Sequence, residues 1–253
     1  MALKREPHVL VVGGSDSSGG AGLARDIETI SAVGVRTCLA ITAVTVQTHD
    51  AVIAIHHQQP GLVAEQMRAA LRANKVSAIK IGMLSTRRVI VAVAAVLSEY
   101  LLIPVVLDPV LASSSGRPLL EANAIGAMKG DLMPLCRLVT PNLIELAALV
   151  GSQLAADDDD ALQQGKRLLA AGPQALLLKG GHATGPRSTD ILLRPDQEPV
   201  RFDALRLDGT MRGTGCMLAS AIAAHLANAT SLEESVLASK RFVLNRLKEN
   251  SAR

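Results

Sequence analysis

The sequence predicts an α/β fold built on a doubly wound, mostly parallel sheet. Short apolar, β-branched runs alternate with longer helical patterns, as strands covered on both faces and their crossover helices do. Six such β-then-α steps follow one another, and no linker interrupts the 253 residues, a length that single α/β domains reach. One domain spanning 1–253 is expected. A chain of this size buries roughly three quarters of its extended surface, so its core needs neither disulfides nor a structural metal.

Taken in order, the expected strands are His8 to Val12, Arg36 to Ala43, Ser77 to Ile81, Pro104 to Leu107, Arg137 to Val139 and Ala175 to Leu178. Helical patterns cover Ala21 to Val33, Pro60 to Ala73, Arg87 to Tyr100, Glu121 to Asp131, Asn142 to Val150 and Asp157 to Ala171. Two pieces break the rhythm. Ala51 to His56 alternates as a small extra strand, and Ile191 to Leu207 holds two extended runs around Arg194, Pro195 and Asp196, read as an antiparallel edge hairpin. A small-residue helix, Met217 to Asn228, and a last helix from Leu232 to about Lys248 complete the chain. The charge run Asp157 to Asp160 is read as a solvated helix start, whose acidic side chains complement the helix dipole.

Composition excludes several function classes. The 26 Lys and Arg against 23 Asp and Glu are spread along the chain, and the rings are only Tyr100, Phe202 and Phe242, too few for a base-stacking platform. Nucleic acid is therefore not an expected partner. Cys38, Cys136 and Cys216 are odd in number and widely spaced, with no C-x-x-C and no H-E-x-x-H, so reduced cytoplasmic thiols and no zinc site are expected. The longest apolar run, Val89 to Leu97, has nine residues, so neither a membrane span nor a signal peptide is expected.

In an open parallel sheet the ligand sits beyond the carboxyl ends of the strands, so the loops there are the place to look for chemistry. The first strand runs into Gly13-Gly14-Ser15-Asp16-Ser17-Ser18-Gly19-Gly20-Ala21-Gly22, a ten-residue loop with five glycines. It suits a ligand-wrapping backbone or a plain βα turn. Gly213-Thr214-Gly215-Cys216 carries more weight, because two glycines before a helix leave backbone N–H groups free at the positive end of its dipole, a place for an anion. A thiol there is expected to have a depressed pKa. Cys216 stands either as a base or alcohol-positioning group for phosphoryl transfer or as a buried capping cysteine.

Leu178-Lys179-Gly180-Gly181-His182 ends a strand with a lysine and two glycines, read as an ammonium near phosphate oxygens or as a surface turn. In Thr140-Pro141-Asn142-Leu143-Ile144-Glu145, Asn142 and Glu145 are either helix caps or magnesium-water ligands. Asp108, before Pro109, is a turn former or a carboxylate near magnesium.

These segments, with the helix residues Asp26 and Thr29, Ile41-Thr42-Ala43 followed by Gln47, and Lys80-Ile81-Gly82-Met83-Leu84, resemble in order the hydroxymethylpyrimidine/phosphomethylpyrimidine kinases of thiamine biosynthesis. That family is ribokinase-like, and the match runs over nearly the whole chain. The resemblance implies a three-layer α/β/α domain with a small β flap, usually a homodimer, that transfers the γ-phosphoryl of MgATP to a pyrimidine alcohol or its phosphate. It implies that Asp26 and Gln47 hydrogen-bond the aminopyrimidine ring while Gly14 and Met83 pack around it. Cys216 would act on the hydroxymethyl or phosphomethyl group, with Gly213 and Gly215 as the anion hole. Lys179, Asn142, Thr214 and Arg212 would face ATP, and Asp108 and Glu145 would work around Mg2+.

Two departures stand out. Arg212 replaces the histidine that usually precedes G-T-G-C, and Ala112-Ser113-Ser114-Ser115-Gly116 lacks the lysine the family tends to carry after D-P-V. The rival readings are a pyridoxal or pyridoxine kinase using the same cysteine-bearing loop, and a pyrimidine-binding sensor or regulatory protein that has lost catalysis.

Overall fold

The computed structural model describes residues 6–180, 187–207 and 211–251. Across them run the strands β1 (His8–Asp16), β2 (Arg36–Gln47), β3 (Val52–His57), β4 (Val76–Ile81), β5 (Val105–Leu107), β6 (Leu138–Val139), β7 (Leu176–Leu178), β8 (Arg187–Leu193) and β9 (Val200–Leu205). They join in one sheet of order β3-β2-β1-β4-β5-β6-β7-β8-β9. From β2 to β7 neighbouring strands are parallel, while β3, β8 and β9 are antiparallel additions. The chain turns one way from β1 to β2 and the other way to β4, so the topological switch lies beside β1, where open α/β sheets take ligands.

The helices are α1 (Gly22–Ala32), α2 (Pro60–Ala73), α3 (Arg87–Leu97), α4 (Ile125–Ala127), α5 (Leu143–Val150), α6 (Asp158–Leu169), α7 (Thr214–Ala227) and α8 (Leu232–Ser251). Strand alternation sorts them into two layers. Leu10, Val12, Ile79, Ile81, Val105, Leu107, Leu176 and Leu178 point to the core beneath α2, α3, α5 and α6. Val9, Val11, Ala78, Val106, Leu138 and Leu177 point to the opposite core with α1, α7 and α8. Side chains two apart share a face, so these all-apolar runs serve both cores at once. Lys80 of β4 falls on the second face, between α1 and α7.

Three expectations change. The glycine-rich stretch after Val12 is not all loop, because Gly13, Gly14, Ser15 and Asp16 continue β1 and pair with Ile41, Ala43, Val44 and Thr45. The register skips Thr42, a bulge that sits beside the site, as bulges often do. The helix expected from Glu121 to Asp131 breaks into single turns: a 3-10 turn at Ala122–Ala124, α4, a π turn at Met128–Leu132 and a 3-10 turn at Met133–Leu135. Gly126 and Gly130 lower its helix propensity, and Pro134 removes a backbone donor. The late hairpin begins earlier than expected, at Arg187, and only β9 is an edge, because β8 is paired with β7. Gly181 and His182 lie outside the described residues. Among the described residues no helix is long and apolar enough to cross a membrane.

Candidate active site

Three adjacent parallel strands deliver one cluster. The ladder continues one residue past β5 and β6, where Asp108 N–H donates to Ile81 O at 2.8 Å and Thr140 N–H to Leu107 O at 2.9 Å. Past β7, Lys179 N–H donates to Pro141 O at 2.9 Å. Strand ends held this firmly fix where the next side chains start. Lys179 Nζ lies 2.8 Å from Asp108 Oδ1 and 3.7 Å from Glu145 Oε2, and Thr140 Oγ1 donates to the same Asp108 oxygen at 3.4 Å. Burial alone would lower the Lys179 pKa, but Asp108 and Glu145 hold it above the ordinary lysine value. Burial pushes the Glu145 carboxyl up despite Lys179, and the Asp108 charge adds to the rise.

Asn142 and Glu145 are a capping box at the start of α5: Asn142 Oδ1 accepts from Glu145 N–H, and Glu145 Oε2 from Asn142 N–H, both at 2.8 Å. The cap and the site coincide at Glu145, whose capping oxygen is also the one that faces Lys179. Among the described residues no group of three or more His, Cys, Asp or Glu is placed to hold a metal by itself. Magnesium bound with a nucleotide takes one or two carboxylates and completes its shell with phosphate and water. Asp108 and Glu145 fit that donor set.

The start of α7 meets this cluster. Gly213 is its N-cap, at φ +77, with no side chain capping the first turn. A Cβ at Gly213 would come 2.5 Å from Gly20 O, so both the backbone twist and the close approach require glycine. A Cβ at Gly215 would lie 3.3 Å from Lys179 Nζ and 3.7 Å from Asp108 Oδ2. The uncapped helix start, the lysine and the carboxylate therefore share one space. Cys216 corrects an expectation: burial pushes its thiol up to about 11, ahead of the lowering by Lys80, and Asp26 and Asp108 add to the rise. Desolvation, with the two buried carboxylates, outweighs the lowering by Lys80 and by the Gly22 backbone hydrogen bond.

A second cluster gathers around β1 and β2. Gly14 and Met83 meet, since a Cβ at Gly14 would be 2.9 Å from Met83 Sδ, and Thr42 Oγ1 of the bulge donates to Met83 O at 2.6 Å. Gln47 ends β2 against Ser17, which donates to its carbonyl and accepts from its N–H, both at 2.8 Å. Arg212 is seated here: its Nη1 donates to Ser18 Oγ and Thr48 O, each at 3.0 Å, and its Nη2 is 3.5 Å from Asp16 Oδ2. It bridges the β1 loop to the β2–β3 turn. Thr214 opens α7.

Asp26 is already engaged. Lys80 Nζ donates to its two oxygens at 2.8 and 2.9 Å, and Ser220 Oγ donates to Oδ1 at 2.7 Å. Both charged side chains are 1% exposed. Burial would lower the Lys80 pKa, but Asp26, with smaller help from Cys216 and Asp108, holds it above the ordinary value. A carboxylate offers about four acceptor directions, so Asp26 keeps one open, on Oδ2.

Sequence reading missed Lys80, Ser220, and the pairing of Asp16 and Ser18 with Arg212. Lys80 carried a signal: a lysine inside an apolar parallel strand must find a buried anion. Ser220 carried none, because its partner Asp26 lies far away in the chain.

Solved kinases share this layering. A phosphomethylpyrimidine kinase from Clostridium difficile superposes with a TM-score of 0.82 at 32% identity, over 96% of this chain and 99% of that one. Pyridoxal kinase from Staphylococcus aureus, in complex with ADP, gives 0.87 at 28% identity over 96% and 88%. The architecture is that of a ribokinase-like kinase. The chain belongs to the phosphomethylpyrimidine kinase family, whose model matches residues 16–253. A hydroxymethylpyrimidine/phosphomethylpyrimidine kinase from Rhizobium meliloti is 40% identical over 235 residues, 92% of this chain and 88% of that protein.

Proposed function

We propose that this chain is one kinase domain that transfers the γ-phosphoryl of MgATP to 4-amino-5-hydroxymethyl-2-methylpyrimidine and then to its monophosphate, in thiamine biosynthesis. The observation that carries the reading is the shared space at Gly215, bounded by an uncapped helix start, Lys179 and Asp108. Phosphoryl transfer runs through a loose transition state whose charge spreads over the migrating oxygens, so positioned donors and cations supply most of the catalysis. In this reading the backbone of Gly213 and Gly215 supplies the donors and Lys179 the cation. Asp108 and Glu145 would hold magnesium, which neutralises phosphate charge when bound. Asn142 and Thr214, at the starts of α5 and α7, would face the nucleotide.

Gln47 and the open Oδ2 direction of Asp26 would meet the aminopyrimidine, with Gly14 and Met83 packing on the ring. Cys216 enters as a neutral thiol that orients the alcohol, since a loose transition state demands no strong base early. Arg212, seated on the β1 loop, would stand near a substrate phosphate, a role closer to the pyrimidine than to ATP. Three free cysteines are consistent with a cytoplasmic location. A homodimer through the β flap is part of the proposal, supported by Ile53, Val44 and Val46, which are exposed on β3 and β2.

A coupled ADP-release assay with MgATP, offering the pyrimidine alcohol, its monophosphate and pyridoxal separately, tests the reading. Turnover on both pyrimidines is expected. Preference for pyridoxal would move the chain to the second reading, which the overlay with pyridoxal kinase favours. Thermal stabilisation by the pyrimidine with no ADP released would make it a binding protein.

A further inference from the structure

The peptide that follows Lys179 is gripped from outside the active site. Gly180 N–H donates to Asp190 Oδ1 at 3.0 Å, and Gly180 O accepts from Arg206 Nη2 at 3.3 Å. A Cβ at Gly180 would collide with Thr189 O, so the turn is pressed against β8. Asp190 is in turn fixed by Lys240 of α8, whose Nζ donates to Asp190 Oδ2 at 2.7 Å and to Ser188 O at 2.9 Å. Lys240 and Asp190 are 7% and 6% exposed. A buried ion pair between the last helix and an antiparallel strand is an expensive way to stabilise a fold, since a pair of apolar side chains would do it as well or better. Here one carboxylate oxygen takes the lysine and the other takes a backbone donor adjacent to Lys179.

We infer that Asp190 and Lys240 are positioning residues for Lys179: they clamp the Gly180 peptide so that the ammonium reaches Asp108 and the space at Gly215. Without the clamp the Gly180 N–H loses its acceptor, and the turn relaxes toward another one. Lys179 would then approach the nucleotide from a displaced start, and displacement on the order of 1 Å at a reacting group is enough to cost about a hundredfold in rate. The pyrimidine side, built from β1, β2 and β4, does not touch the clamp. The inference rests on the role proposed for Lys179.

The test is the double variant Asp190→Leu with Lys240→Met, which removes the clamp without leaving a buried charge. Steady-state kinetics are expected to show kcat/KM for MgATP reduced about ten- to a hundredfold, with KM for the pyrimidine unchanged. Calorimetric titration should show weaker binding of a non-hydrolysable ATP analogue, and the melting temperature should stay close to that of the unmodified protein. Should the double variant not fold, Asp190→Ser with Lys240→Gln, which keeps polar groups at both positions without a buried charge and still removes the Gly180 acceptor, decides by the same split. MgATP parameters within about twofold of the unmodified protein in the folded variant, or an equal rise in KM for both substrates, would overturn the clamp. Lys179→Ala separates the two ideas: if it leaves MgATP kinetics intact, the role proposed for Lys179 fails and the clamp with it. If it abolishes turnover while the clamp variants do not, only the clamp fails.

Discussion

Lys80 and Lys179 are both lysines at the carboxyl side of a parallel strand, and both meet carboxylates, yet they are built for different work. Lys80 lies inside β4 with its ammonium bound to both oxygens of Asp26, and Ser220 takes a further position on that carboxylate. Nothing of the pair faces water. Lys179 lies one residue past β7, its side chain retains 12% exposure, and it holds one carboxylate closely and a second at 3.7 Å. The first cation is closed within its partners and acts as a strut between β4, α1 and α7. The second keeps donors to spare beside a helix start with open N–H groups. Burial and saturation of the partner, rather than residue type, separate a structural lysine from one available to substrate.

Removing the closed cation is expected to give the largest effect. Lys80→Met leaves the Asp26 carboxylate buried without its counter-ion, which costs about 3–5 kcal/mol of stability. For a chain of this length the melting temperature then falls by roughly 2–4 °C per kcal/mol, read by calorimetry. A variant as stable as the unmodified protein would mean that Asp26 is not ionised, and the contrast with Lys179 would fail. Lys179→Ala should do the opposite. Loss of a cation that stabilises transition-state charge is expected to raise the barrier by about 3 kcal/mol, close to two orders of magnitude in kcat, while the melting temperature falls less than in Lys80→Met, because the Lys179 side chain keeps some exposure.

Cys216 sharpens the comparison because it lies between the two lysines in its electrostatics. Cys216→Ala removes one neutral hydrogen-bonding group, so turnover is expected to fall about fivefold, in line with roughly 1 kcal/mol for such a bond, with stability nearly unchanged. The thiol itself can be titrated by alkylation followed by peptide mass spectrometry, which separates it from Cys38. Both thiols are pushed up to about 11, so labelling at Cys216 should rise toward that pH. A midpoint near neutrality would restore the activated thiolate that the helix start alone suggests.

Much of this arrangement was legible because the periodicities were clean. Apolar β-branched runs gave the parallel strands, and the rule that ligands gather beyond strand carboxyl ends led to Asp108, Lys179 and the G-T-G-C helix start. What sequence could not give was pairing across elements. Asp26 was read only as a ligand to substrate, because nothing local says that Lys80, two strands away in the chain order, and Ser220 take three of its acceptor positions. The pKa of Cys216 was misjudged for a related reason: a helix N-terminus is visible in sequence, whereas the burial and the two carboxylates that oppose it are not. Gly13 and Gly14 were read as loop because glycine is a turn signal, but flanking strand β2 carries the ladder past them.

The smallest expected effect concerns the Asp16 carboxyl and tests whether the Arg212 bridge is a true counterpart of the two lysine pairs. Burial alone would raise the Asp16 pKa, but the Ser18 hydroxyl and N–H, the Gln47 side chain and the Arg212 guanidinium together hold it below the ordinary carboxylate value. A carboxyl depressed in the folded state contributes stability above its unfolded pKa, near 4, and loses it as pH falls through the folded value. The difference in melting temperature between the unmodified protein and Asp16→Asn is therefore expected to be present at pH 7 and to shrink as the pH drops below about 4. Arg212→Ala should reduce that difference by a part only, because the guanidinium is the weakest of the named contributions. Complete loss of the difference in that variant would make Arg212 the principal partner of Asp16, and the β1 loop would then be held by a single ion pair, as Lys80 holds α1.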